Sequence, residues 1–150
     1  MAGYIVPTDV ETLVPASEIR DLLYRGTTNP PATYVTSDLQ LIIDDVEGYI
    51  DSKLQGRYNI PLTMPVPPLL KYYAKIGTRK FLWTKARQVN AEVDAAWLEV
   101  KTDLDAISKG ELPLGAEPEK SERSNATAHV TADNGSYDSE PFSREAMERF

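Results

Sequence analysis

Cysteine is absent from the 150 residues, and histidine occurs once, at His129. Thiolate chemistry and disulfides are therefore excluded. A zinc site would have to be built mainly from carboxylates, which is uncommon. The chemistry that remains is that of charge. Asp38, Asp44, Asp45, Glu47 and Asp51 crowd one stretch, while Lys71, Lys75 and Arg79 recur at every fourth position with Lys80 beside them. No glycine-containing calcium loop surrounds the acids, and no histidine is near them. No glycine-rich phosphate loop, Ser-His-Asp set or zinc motif occurs. The acids read as a solvated or interface face, and neither an enzyme nor a metal or cofactor is expected.

The net charge of −7 weighs against tight nucleic-acid binding, which needs a concentrated basic surface. Lys71, Lys75, Arg79 and Lys80 have only Tyr72 as a neighbour suited to that task. An acidic and a basic helix on one chain instead suit a heterologous, head-to-tail contact, which closes into rings. Exposed ion pairs contribute about 0–1 kcal/mol each. They would set register and orientation more than affinity.

The elements that carry these charges follow from period and punctuation. Thr8-Asp9-Val10-Glu11 has a capping-box pattern, predicting a short helix from Asp9 that stops before Pro15. A second spans Ser17 to Tyr24, with Ile19, Leu22 and Leu23 inward, and Gly26 to Tyr34 is a loop. Ser37 and Gln40 form another capping-box pattern, opening a long helix to Leu54. Its stripe is Leu39, Ile42, Ile43, Val46, Ile50 and Leu54. Gly56 stands where a left-handed terminating residue belongs. Pro61 and Pro65 keep the following segment out of helix. Pro67-Pro68 suits a first helical turn, and that helix runs to Lys85 with Leu69, Leu70, Tyr73, Ile76 and Phe81 on one side. Gly77 either weakens it or permits a close helix approach. The last helix, Asn90 to Ser108, takes its stripe from Val89, Val93, Trp97, Val100, Leu104 and Ile107 and stops at Gly110. Trp83 and Trp97 read as packing residues. Three long and two short helices make an all-α bundle with a small core, which gains stability from assembly.

Composition shifts at the end of that domain, dividing the chain into residues 1–115 and 116–150. The tail has no Leu or Ile and buries too little to offset its own ordering. It is expected to be extended, with Tyr137, Phe142, Met147 and Phe150 as spaced docking anchors. No apolar run approaches the roughly 20 residues of a membrane span. The N-terminus lacks the pattern of a signal peptide, so synthesis in the cytosol and no membrane partner are expected.

With these residues in place, the chain resembles the head–tail connector (adaptor) family of tailed bacteriophages, in the branch found in Mu-like phages. The resemblance rests on Tyr4 to Leu13, on Ile50 to Leu70 and on Trp97 to Leu112. The middle stretch carries Gly56-Arg57-Tyr58, Ile60-Pro61-Leu62 and Pro67-Pro68. The terminal Phe142 to Phe150, with Arg144, also looks like the family's C-terminus. The loop Gly26 to Tyr34 has no clear counterpart.

The resemblance implies a virion protein of the neck. It would form a ring, usually twelve-membered, between the portal and a stopper or tail-completion protein, with the genome passing through its lumen. Twelve copies would carry about −84, a charge that repels DNA instead of gripping it. On this reading Asp44, Asp45, Glu47, Asp51, Lys71, Lys75, Arg79 and Lys80 form the ring interface. Tyr137, Phe142, Arg144, Met147 and Phe150 dock the tail on the portal or a neighbouring subunit. The alternatives are a stopper or tail-completion protein, and a small cytosolic regulator that binds a protein through its helices.

Overall fold

Aliphatic periodicity and proline punctuation lay out five helices in the computed structural model, which describes residues 3–63 and 65–115. They are α1 (Pro7–Glu11), α2 (Ala16–Leu23), α3 (Thr36–Leu54), α4 (Pro68–Lys85) and α5 (Ala91–Lys109). The fold is all-α as expected, and no strand occurs among the described residues. The chain divides into two units, Met1–Lys120 and Ser121–Phe150, and the structure below is that of the first. The arm expected over residues 116–150 lies outside the described residues.

The three long helices form an up–down–up bundle. Tyr73 of α4 donates to Asp103 of α5 at 2.7 Å, and Lys80 meets Asp94 at 2.5 Å, so these two helices run antiparallel. Tyr49 of α3 packs on Trp97 with ring centroids 5.4 Å apart, and Lys53 pairs with Asp105 at 2.8 Å. Hence α3 and α5 are parallel. The α3 stripe from Leu39 to Leu54 is buried in full, as are Leu70, Tyr73, Ile76 and Leu82 of α4. Leu69 and Phe81 are partly buried. Gly77 is the point of closest approach. A Cβ there would lie 2.5 Å from Val46 Cγ1 and 2.9 Å from Trp97 Cζ3. α2 packs on α4, and α1 on α3 and α4.

Several helix ends differ from the local signals. α1 begins at Pro7, not Asp9, because the Asp9 carboxylate reaches back to accept from the Val6 N–H at 2.9 Å. Thr8 caps nothing. α3 begins at Thr36 with no side-chain cap, and Gln40 donates to Asp44 at 2.8 Å instead of closing a box with Ser37. The start of α3 is held from elsewhere: the Tyr24 hydroxyl donates to Asp38 at 2.6 Å and accepts from the Val35 N–H at 3.1 Å.

Gly56 is not left-handed. The turn closes in right-handed conformation at Gln55, and the N–H groups of Arg57 and Tyr58 both donate to the Leu54 carbonyl at 2.9 Å. Val89 does not join the α5 stripe. The Asn90 side chain caps the Glu92 and Val93 N–H groups, leaving Val89 in the preceding turn and 86% exposed. Gly110 ends α5 with φ +83°, as its position predicts.

The connection from α3 to α4 is an integral part of the bundle. Tyr58 is fully buried, and its hydroxyl accepts from the Leu114 N–H at 3.2 Å, tying this connection to the chain beyond α5. Arg57 packs over Gly110. Leu62 and Val66 are buried, and the Ile60–Pro61 peptide is cis. Pro67 caps α4 and Pro68 is its first residue.

Candidate subunit interface

The acidic face of α3 is divided between internal and external duties. Glu47 is half-buried and accepts from the N–H groups of Tyr4 and Ile5 at 2.6 and 3.0 Å. Burial raises its pKa above the ordinary 4.5, the two N–H bonds oppose that rise, and Asp44 and Asp51 add to it. Asp51 accepts from the Tyr4 hydroxyl. Glu47 and Asp51 thus hold the N-terminal segment on α3. Asp44 and Asp45 are exposed beyond it.

The basic stripe of α4 is divided in the same way. Arg79 lies 3.4 Å from Glu92, and Lys80 lies 2.5 Å from Asp94, in the first turn of α5. Acids there also complement the helix dipole. Lys75 reaches Thr12 Oγ1 at 3.5 Å. Lys71 and Lys85 are exposed.

The two charged helices meet at an open groove of about 550 Å³. Leu41 and Ile42 of α3, Phe81 of α4 and Trp97 of α5 form its floor and wall. Asp45 stands on one rim, and Lys80, Thr84 and Lys85 on the other. Phe81 and Trp97 meet edge to face at 5.9 Å. Leu41 is 64% exposed. Sequence periodicity missed this groove, although Leu41 gives a signal: it is a large aliphatic residue one position off the buried stripe. Leu98, next to Trp97, is likewise a large exposed aliphatic residue one position off a buried stripe.

A family model described as "Bacteriophage Mu, Gp36" matches residues 4–132. The chain belongs to the bacteriophage Mu Gp36 family. The match starts at Tyr4, whose N–H and hydroxyl are held by Glu47 and Asp51, and includes all of α1 to α5. Membership in the Gp36 family supports a phage structural or morphogenesis protein. No curated protein matches the chain. No helix among the described residues is long and apolar enough to cross a membrane. Of the tail anchors, Tyr137, Phe142, Arg144, Met147 and Phe150 all lie outside the described residues and beyond the Gp36 match.

Proposed function

We propose that this Gp36-family protein is a head–tail connector of the virion neck. It assembles as a ring, usually of twelve copies in connectors of this kind, between the portal and a stopper or tail-completion protein. It is not an enzyme. The observation that carries the reading is the family membership, joined to a bundle whose open apolar surface is flanked by both signs of charge. An apolar centre with charged rims is the anatomy of a protein–protein contact. Asp44, Asp45, Lys71 and Lys85 are exposed and able to meet a neighbour. Glu47, Asp51, Arg79 and Lys80 shape the same faces from within through Tyr4, Ile5, Glu92 and Asp94.

The acidic balance fits a conduit. A ring of chains at −7 each presents DNA with repulsion screened over about 8 Å at physiological salt, so the genome passes without sequence-specific binding. The tail would extend to the portal or a neighbouring subunit.

The experiment is an assembly reaction lacking this chain. Filled heads and free tails should accumulate unjoined, and added purified protein should restore joined particles. Joined, infectious particles formed in its absence would sink the proposal.

A further inference from the structure

The groove at Leu41, Phe81 and Trp97 is large, apolar and open, and the chain itself carries a segment that suits it. Placed on a helical period, Phe142, Ala146, Phe150 and Met147 fall within an arc of about 140°. Ser143 also falls inside that arc, and Arg144, Glu145, Glu148 and Arg149 occupy the rest of the circumference. This is the pattern of an amphipathic segment that lays one apolar face into a groove. Both charge signs are present on the segment, and both are present on the rims, at Asp45 and at Lys80 and Lys85. Such rim pairs add little affinity but fix register.

We infer that the groove receives residues 142–150 of a second copy of this chain. The inference rests on the ring reading and names one of its contacts. Chain length permits the second copy, and the proposed ring places one beside each groove. The described chain ends beside Tyr58, where Leu114 is bonded and α3 and α5 finish. Leu41 and Trp97 lie toward the other end of the bundle. The 26 residues from 116 to 141 can span about 85–95 Å when extended, whereas α5 is about 28 Å long. That reach exceeds a return to the chain's own groove several-fold and is sufficient to cross to a neighbour.

The absence of cysteine makes the test clean. Full-length Thr84→Cys chain is mixed with full-length Arg149→Cys chain, oxidised with copper–phenanthroline, and read by mass spectrometry of the linked peptides. Thr84 is exposed on the groove's rim, so its substitution leaves the core and the apolar floor intact. A disulfide requires the two Cα atoms to come within about 7 Å. Docking should raise the yield of the 84–149 link at least about tenfold over a control pairing Ser52→Cys with Arg149→Cys. A chain carrying both substitutions should link between copies. A purely intrachain link, or a yield no higher than the control, overturns the inference. Micrographs of the same samples separate the two levels. Rings without the link remove the docking alone, while the absence of both removes the docking and the ring together.

Discussion

At the residue scale, three glycines have different duties. Gly77 stands where α3, α4 and α5 touch. Gly77→Ala forces its new methyl into Val46 and Trp97 and should cost about 1–3 kcal/mol, read as a lower denaturant midpoint. Gly110 has φ +83° and lies under Arg57, so alanine there is strained twice over. Gly56 has open space around it and no positive φ. Gly56→Ala should therefore be neutral or stabilising by about 0.4–1 kcal/mol. A loss of stability there would restore the left-handed terminator that its position suggests. Arg87 presents the converse case. It ends α4 at φ +54°, with its N–H on the Thr84 carbonyl at 3.0 Å and that of Gln88 on the Trp83 carbonyl at 3.0 Å. Glycine is the usual residue in such a cap, and Arg87→Gly should raise stability by about 1 kcal/mol. A circular-dichroism melt checks both signs.

At the element scale, the N-terminal segment is fastened to α3 by a carboxylate with a raised pKa. In the window between about 4.5 and the higher folded value of Glu47, the native state binds more protons than the unfolded chain. Stability from this group therefore falls as pH rises through that window and is flat below it. Glu47→Gln removes the titration. The stability of the natural chain relative to Glu47→Gln should rise as pH falls from 7 toward 4.5, in paired denaturant titrations. A constant difference would remove burial as the dominant influence on Glu47.

The helices themselves were legible because each buries a stripe with the 3.6-residue period, and Pro67-Pro68, Asn90 and Gly110 punctuate them. The two capping-box patterns and Gly56 misled because groups outside those patterns satisfy the ends: Asp9 closes the start of α1 on Val6, and the Arg57 and Tyr58 N–H groups close the end of α3 on Leu54. Tyr24 holds the start of α3, and Tyr58 closes its end onto Leu114. For the same reason, the charged residues of the interface were readable as residue types but not as partners. Which acid faces Tyr4 and which base faces Glu92 depends on helix order and direction, and neither is encoded in local spacing.

At the scale of the whole molecule, the division of labour among the charges predicts different outcomes for similar substitutions. Arg79→Glu places like charge beside Glu92 within the bundle. It should lower stability by up to about 1 kcal/mol while altering assembly only indirectly. Asp45→Lys changes an exposed rim of the groove. It should leave the melting temperature nearly unchanged and weaken subunit association, with a salt dependence that marks rim charge. Sizing by light scattering beside a thermal melt separates the two effects. Equal loss of stability in both variants would show that the exposed and internal charges act alike.

The central claim is that this Gp36-family chain is a ring on the portal. Electron micrographs of the full-length protein mixed with its portal test it most directly. The account predicts an added ring of density around an open axial channel at the portal's tail-facing end, absent when the protein is withheld. Portals that stay bare in the presence of excess protein would contradict it.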